Sequence, residues 1–223
     1  QGADSYMKKF AHIKDVHRRI FAAMLSNLDD GVGAILAKLR ENKLERDTLV
    51  VFLSDNGGPT KELTSSNLPL RDGKGSLYEG GLRVPFMLQW KGKLSKGRVY
   101  PHPVLSIAIF STISALAKVK PRPRRPIDGV NLMPYRTGKK DSRPHEVLYW
   151  RTGSKAALRQ GDWKLLRNPR RGQTTSWQLF DLANDLAETT DLSSARPEKR
   201  DQLLATWGKL NAQMLEPIWR PKR

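Results

Sequence analysis

The chain has no cysteine among its 223 residues, and it carries only 22 acidic residues against 40 basic ones. Without cysteine there is no disulfide and no thiol catalysis. The shortage of acids leaves a formal net charge of +18. A charge of this sign favours anionic partners, such as sulfated or phosphorylated glycans, nucleic acid or an acidic surface. A solvated basic surface is the simplest alternative, and charge alone does not choose among these.

Long apolar stretches are also missing from the sequence. No run approaches the roughly 20 residues that span a bilayer, so no membrane span is predicted. The first residues are polar, no signal peptide is visible, and the chain does not begin with Met, which is typical of a fragment or a processed product. These features therefore do not identify the cellular compartment of the protein. The hydrophobic content of 38% excludes global disorder.

The first part of the chain, residues 1–140, has the pattern of an α/β domain. Apolar residues recur every three or four positions over residues 16–40, which predicts an amphipathic helix. Residues 48–54 then form a continuous apolar run, typical of a strand covered on both faces. Strand character returns over residues 84–90, and residues 104–119 are predicted to be helical. This succession predicts an α/β sheet sandwiched by helices.

The second part, residues 141–223, has the pattern of a small α+β subdomain. It follows a basic, proline-rich connector at residues 121–126. Short strand-like segments bounded by turn residues predict an antiparallel sheet; they lie at residues 146–151, 156–159, 163–167 and 177–182. A helix at residues 197–214 has its apolar residues on one face, so it is predicted to pack on that sheet.

Two oxygen-bearing residues, Asp55 and Asn56, directly follow the predicted buried strand. Ligands of α/β sheets gather at the carboxyl ends of strands. Carboxylate and amide oxygens suit a hard cation such as calcium, which accepts roughly six to eight oxygen ligands. An Asx-type turn at the strand end explains the same residues without a metal. The pair alone leaves both interpretations open, and two ligands are too few to hold calcium tightly.

A long glycine-rich loop follows at residues 59–83, and loops of this length in compact domains are usually functional. Within it, Lys74 stands between two glycines, whose small size lets an oxyanion approach the ammonium group. A lysine is a compact charge suited to a sulfate or phosphate oxygen. The alternative is a solvated loop lysine. Glu79 and Arg83 are predicted to pair and brace the loop, and Tyr78 is predicted to pack.

Two segments carry a family resemblance: Ser54-Asp-Asn-Gly-Gly58 and Gly73-Lys-Gly-Ser-Leu-Tyr-Glu-Gly-Gly-Leu-Arg-Val-Pro85. They resemble signatures of the sulfatase family, the arylsulfatase-like branch of the alkaline phosphatase superfamily. The family order continues with Asp128-Gly-Val-Asn-Leu-Met-Pro134 and Arg159-Gln-Gly-Asp-Trp-Lys-Leu165. The chain resembles the C-terminal half of an arylsulfatase or N-acetylgalactosamine-6-sulfatase. The implied fold is the C-terminal part of a sulfatase-type α/β sandwich, plus a small antiparallel sheet with a packed C-terminal helix.

This resemblance implies a sulfuric ester hydrolase that uses calcium and acts on aryl or glycan sulfates. It assigns Asp55 and Asn56 to the calcium ion. It assigns Lys74 to substrate binding and catalysis, where the ammonium contacts the sulfate group and offsets charge on the leaving oxygen. The family's nucleophile is a formylglycine, made in a Cys/Ser-x-Pro/Ala-x-Arg motif that this chain lacks. We therefore expect a missing N-terminal half as partner, and no appreciable turnover by the chain alone.

Two alternatives to an enzyme remain. A non-catalytic basic module that binds sulfated glycans or other polyanions would show salt-sensitive binding that depends on neither Lys74 nor calcium. A nucleic-acid-binding module is disfavoured, because the basic residues are scattered and no recognised nucleic-acid motif is present. Family members are often periplasmic, secreted or lysosomal, and no residue in this chain decides the compartment.

Overall fold

The computed structural model describes residues 4–60, 65–119, 127–169 and 176–215. The elements in chain order are α1 (Asp4–Lys9), α2 (Val16–Glu41), β1 (Val50–Leu53), α3 (Glu79–Leu82), β2 (Phe86–Gln89), α4 (Ala108–Leu116), α5 (Met133–Arg136), β3 (Val147–Thr152), β4 (Lys155–Gln160), β5 (Trp163–Arg167), β6 (Gln178–Asp181) and α6 (Pro197–Asn211). The proline-rich connector predicted at residues 121–126 lies outside the described residues.

The chain divides into two compact units. The first unit comprises residues 1–44, 51–87 and 148–223, and the second comprises residues 45–50 and 88–147. All three sequence-predicted site residues belong to the first unit. The predicted division into 1–140 and 141–223 stays a prediction, because a domain of a protein family need not coincide with a compact unit.

Helix α2 confirms the helix predicted at residues 16–40, but its apolar stripe is exposed. Asp15 caps the helix by accepting a hydrogen bond from the Arg18 backbone N–H at 2.8 Å. Only Ala23 is buried along the helix. Exposed apolar side chains line it at Val16, Met24, Leu25, Leu28 and Ile35. By length and composition alone, α2 is long and apolar enough to cross a membrane, although no membrane span was predicted from the sequence.

Strands β1 and β2 pair in a two-stranded sheet. The backbone N–H of Ser54, just after β1, donates to the Pro85 carbonyl at 3.2 Å. The prediction that β1 is covered on both faces is wrong within this chain, since Phe52 is 37% exposed and Met87 in β2 is 55% exposed. Two strands of four residues leave much of their surface open, and such a pair is marginal by itself.

Strands β3 to β6 form the predicted small sheet, in the order β3-β4-β5-β6. The pairs β4–β5 and β5–β6 are antiparallel. Gly161 has a φ of +65° in the turn between β4 and β5, a conformation that favours glycine. Helix α6 contacts β4 and β5 and buries Leu203, which confirms a packed C-terminal helix. The sheet interior is fully buried at Ala156, Ala157, Leu158, Leu165, Leu166, Leu179 and Phe180.

A segment that we call the lysine loop (residues 73–82) packs on this sheet. Leu77 and Tyr78 share one buried cluster with three sheet residues, Ala157, Leu166 and Phe180. The Tyr78 hydroxyl also donates to Gln178 Oε1 at 2.8 Å. The predicted packing role of Tyr78 is confirmed, and the position of the lysine loop is therefore set by the sheet.

The lysine loop also contacts the strand-end loop (residues 54–58) backbone to backbone. The Gly57 N–H donates to the Gly81 carbonyl at 3.1 Å, and the Lys74 N–H donates to the Gly58 carbonyl at 3.2 Å. A β-carbon on Gly57 would lie 1.6 Å from the Gly80 carbonyl oxygen. This separation is far below van der Waals contact, so only glycine permits the two loops to approach each other.

This contact predicts opposite results for two glycine-to-alanine changes. Gly57→Ala should destabilise the chain by about 1–3 kcal/mol, because the added methyl group forces the loops apart. Gly33→Ala is the matched control: its β-carbon would meet nothing within 4 Å, and it lies inside α2. The control should stabilise the chain by about 0.5–1 kcal/mol. Urea denaturation measures both, and shifts of the same sign would contradict the packing described here.

Candidate functional site

The strand-end loop presents two oxygen-bearing side chains, as the sequence predicted. Asp55 is exposed, and its Oδ1 accepts a hydrogen bond from the Asn56 N–H at 3.0 Å. The Asn56 side chain donates from Nδ2 to the Gly57 carbonyl at 3.0 Å. The second Asp55 oxygen and the Asn56 amide oxygen are therefore available as ligands.

Asn67 joins this loop to the segment before Lys74. Its Oδ1 accepts from the Gly58 N–H at 3.0 Å, and its Nδ2 donates to the carbonyls of Gly58 at 3.0 Å and Asp72 at 2.9 Å. The sequence analysis did not identify this residue. Asparagine is common in loops, and its pattern gives no signal that its amide bridges two segments.

Lys74 stands at the contact between the two loops. Its backbone N–H is bonded to Gly58, while its side chain is exposed. A β-carbon on the preceding residue, Gly73, would lie 2.2 Å from the Gly58 carbonyl oxygen, so the approach again requires glycine. Within the described ranges, the Lys74 ammonium makes no hydrogen bond or ion pair. The structure thus brings Lys74 next to the loop that carries Asp55 and Asn56.

The donor set fits part of a calcium shell. Asp55 and Asn56 supply oxygen atoms, the kind of ligand that calcium prefers. In the portion of the chain that the structure describes, no group of three or more His, Cys, Asp or Glu side chains could hold a metal ion. Since calcium takes roughly six to eight ligands, the remaining ones must come from backbone, water, substrate or another polypeptide segment.

The predicted pairing of Glu79 with Arg83 is wrong. The Glu79 carboxylate lies 2.9 Å from Lys164 Nζ and 3.6 Å from Arg159 Nη1, both on the small sheet. Helix α3 has only one turn, and Arg83 at its C-terminal end has an extended backbone with φ −84° and ψ 100°. The Arg83 N–H still donates to the Glu79 carbonyl at 2.7 Å, but the Arg83 residue is exposed whereas the Glu79 carboxylate is buried against the sheet.

Glu79 belongs to a buried ion cluster that sequence reasoning missed. Lys164 Nζ also lies 2.8 Å from Glu188 Oε1, a close ion pair without the alignment of a hydrogen bond. Lys164 and Glu188 are both 0% exposed, and Glu79 is 3% exposed. Burial raises the pKa of Glu188 above its ordinary value, against the opposing effect of Lys164. The sequence shows only that Lys164 lies inside a short apolar strand segment, where a charge that becomes buried needs a partner.

Comparison with known proteins places the chain in a family. Residues 2–119 match the family model described as Sulfatase. Steryl-sulfatase of Mus musculus is 40% identical over 132 residues, which are 56% of this chain and 21% of that protein. N-acetylgalactosamine-6-sulfatase of Mus musculus is 32% identical over 180 residues, which are 78% of this chain and 34% of that protein.

A solved structure agrees with this assignment. Ps i-CgsB in complex with k-i-k-neocarrahexaose superposes with a TM-score of 0.86 at 32% identity, over 98% of this chain and 48% of that one. The chain thus spans about half of that structure, and the matched segments span a fifth to a third of the curated relatives. The predicted mixed α/β fold with a small antiparallel sheet is confirmed over this shared part. The chain belongs to the sulfatase family.

Proposed function

We propose that this chain supplies the lysine and part of the calcium site of a sulfatase that hydrolyses aryl or glycan sulfate esters. The observation that carries the proposal is the hydrogen bond of 3.2 Å from the Lys74 N–H to the Gly58 carbonyl. It keeps the lysine beside the loop that bears Asp55 and Asn56. All three residues lie in one compact unit, so their proximity does not depend on how the two units are arranged.

Each side chain has a definite task in such a site. Asp55 and Asn56 would hold calcium through their free oxygens, and calcium when bound offsets the negative charge of the sulfate oxygens. Lys74 donates hydrogen bonds to the sulfate group. As the sulfur–oxygen bond to the alcohol breaks, its ammonium stabilises the charge that develops on the departing oxygen. The exposure of Asp55 and Lys74 keeps both accessible to a substrate.

A sulfated sugar is the substrate class that the chain favours. One relative is an N-acetylgalactosamine-6-sulfatase, and the solved relative holds k-i-k-neocarrahexaose. The net charge of +18 raises the local concentration of a polyanionic chain around the protein. An aryl sulfate is the simpler probe, because its leaving group is released without any requirement for sugar contacts.

The exposed apolar surface of α2 is the expected contact site for the remaining half of the catalytic domain. Helix α2 exposes five apolar side chains between Val16 and Ile35, a stripe that soluble proteins rarely leave open. The superposed relative contains as much chain again beyond the matched part. A membrane is the competing occupant, but Asp29 and Asp30 lie at the middle of α2, where a bilayer costs about 2.5–3.5 kcal/mol per charged side chain.

Reconstitution tests the proposed activity. The 223-residue chain alone should not hydrolyse an aryl sulfate measurably. Co-expression with the part of the solved relative that lies outside the match, where the family resemblance implies the formylglycine motif, should give calcium-dependent turnover. In that complex Lys74→Ala should lower kcat by about 10²–10³-fold, the usual cost of one charge-stabilising donor. Lys96→Ala is the matched control, since Lys96 is also exposed beside a glycine. Equal losses in both variants would contradict a role for Lys74.

Calcium affinity should depend on the rest of the domain. By calorimetry, the chain alone should bind calcium at about 10⁻⁴–10⁻³ M or not at all, because it offers two side-chain ligands. The reconstituted protein should bind it at least roughly tenfold more tightly, since further ligands complete the shell. Asp55→Ala should abolish that gain, whereas Asp47→Ala, which removes another exposed carboxylate, should not. Micromolar binding by the chain alone would refute this division of ligands.

A non-catalytic polyanion-binding module is the second candidate, and one cluster in the second unit favours it. The Arg136 guanidinium lies 5.1 Å from the Tyr100 ring centroid, and its Nη2 donates to the Arg98 carbonyl at 3.3 Å. Burial, and next the charge of Arg98, lower the pKa of Arg136 from its ordinary value. Neither arginine forms an ion pair within the described residues. An anion would relieve the repulsion between them.

This candidate predicts that a double change of Arg98 and Arg136 to Ala weakens binding to sulfated dextran and flattens its salt dependence. Lys74→Ala should leave both the affinity for sulfated dextran and its salt dependence unchanged, because this candidate assigns polyanion binding to Arg98 and Arg136. A matched double change at Lys38 and Arg40, both on α2, removes the same charge elsewhere. Equal losses from both double variants would show non-specific attraction and would eliminate the cluster as a site.

A further inference from the structure

The ion cluster beneath the lysine loop contains two cations that face each other. Arg159 of β4 and Lys164 of β5 are direct cross-strand partners, and like charges in such positions repel. Two carboxylates relieve that repulsion: Glu79 reaches both cations, and Glu188 reaches Lys164. A third carboxylate, that of Asp162 in the turn between β4 and β5, lies 3.5 Å from Arg159 but stays half-exposed. The two buried carboxylates beside Lys164 are those of Glu79 and Glu188, and both come from outside the sheet.

Glu188 is tied to the lysine loop and to Arg71, which lies two residues before the start of that loop. Its Oε2 accepts a hydrogen bond from the Glu79 N–H at 2.5 Å, five residues after Lys74. Its backbone carbonyl accepts from Arg71 Nη1 at 2.6 Å, three residues before Lys74. The Arg71 guanidinium also lies 4.1 Å from the centroid of the Tyr78 ring. One residue thus fixes the chain on both sides of the lysine.

Glu188 holds a backbone conformation that non-glycine residues rarely adopt, with a φ of +55°. A side chain at such a position gives up stability unless its contacts compensate. Glycine would adopt the same backbone without cost but would supply no carboxylate. The use of glutamate at this turn is accounted for by its contacts with Glu79 and Lys164.

We propose that Lys164 and Glu188 are positioning residues for Lys74, because the buried cluster clamps both flanks of the lysine loop onto the small sheet. A purely stabilising role does not explain this choice of residues. Apolar side chains of similar volume often replace a buried ion pair with no loss of stability. Apolar side chains could not accept the hydrogen bond from the Glu79 N–H, and their non-directional contacts would not fix the lysine loop at one position. This inference rests on the proposed function only in taking Lys74 as the group that needs positioning.

The first test uses the 223-residue chain by itself and needs no activity. Glu188→Gln should speed amide hydrogen exchange within residues 73–82 by at least tenfold relative to the β4–β5 hairpin. A Lys164→Met/Glu188→Gln double variant leaves the net charge of the cluster unchanged, because one charge of each sign is removed. It is the variant to measure if the single change unfolds the chain. Unchanged exchange in the lysine loop of a folded variant would overturn the inference.

Asp191→Ala is the matched control for that measurement. The Asp191 carboxylate accepts from the Leu179 N–H at 3.1 Å and the Ser193 N–H at 2.9 Å, near Glu188 in sequence but without a hydrogen bond to the lysine loop. Its loss should lower stability while exchange in the lysine loop relative to the hairpin stays as in the unaltered chain. Faster loop exchange in this control would show that general destabilisation, and not the clamp, governs the loop.

The second test separates positioning from structural support in the reconstituted enzyme. Glu188→Gln should lower kcat/KM on the order of tenfold to a hundredfold while Lys74 is present, as expected for a misplaced group. In a Lys74→Ala background the same change should cost nothing further, since there is no lysine left to position. The inference would be overturned if Glu188→Gln lowered kcat/KM by the same factor in the Lys74→Ala background as it does when Lys74 is present. If the unaltered reconstituted enzyme is inactive, the proposed function fails, and the exchange test alone decides the role of the cluster.

Discussion

Two cations opposed across strands β4 and β5 impose the constraint on which the lysine loop depends. Lys164 is fully buried and Arg159 beside it is mostly buried, so the two charges cannot share one face of the sheet unless carboxylates from other segments join the nearby Asp162. Those carboxylates belong to α3 and to the turn at Glu188, so neutralising the charge also fixes where two separate segments lie. A buried ion pair contributes little net stability, yet losing one partner costs about 3–5 kcal/mol. The cluster therefore specifies an arrangement more than it stabilises the chain.

A second constraint transmits that arrangement to the candidate site. Close backbone approaches at Gly57 and Gly73 leave no room for a β-carbon between the strand-end loop and the lysine loop. The small sheet holds the lysine loop through Glu79 and Tyr78, and the lysine loop in turn holds the strand-end loop through backbone hydrogen bonds. The positions of Asp55 and Lys74 are thus consequences of contacts made by residues that carry no catalytic chemistry.

Local sequence patterns predicted where most helices and strands lie. They did not predict which side chains are buried or which charged residues pair. Helix α2 repeats its apolar residues at helical spacing, and strands β3 to β6 are short strand-like segments bounded by turn residues, so sequence alone located them. The exposure of Phe52 was missed, because covering a strand requires neighbours that no local pattern reveals. The pairing of Glu79 was misassigned, because its carboxylate is buried against Lys164 and Arg159, residues of a sheet far along the chain that no local spacing reveals. Lys164 was not recognised as buried, since only its cross-strand neighbour and two distant carboxylates make that burial tolerable.

The two parts of the candidate site differ in how completely this chain buries the apolar residues around them. Strands β4 to β6 and α6 bury their apolar residues within this chain, and Lys74 is anchored to that completed core. Asp55 and Asn56 follow a strand whose two-stranded sheet and neighbouring helix still expose apolar surface. Exposed apolar surface of this extent is typical of a site that contacts another polypeptide or a membrane. Contacts within this chain therefore position the lysine loop, and that loop holds the segment of Asp55 and Asn56 through backbone hydrogen bonds, although the two-stranded sheet before these residues stays partly exposed.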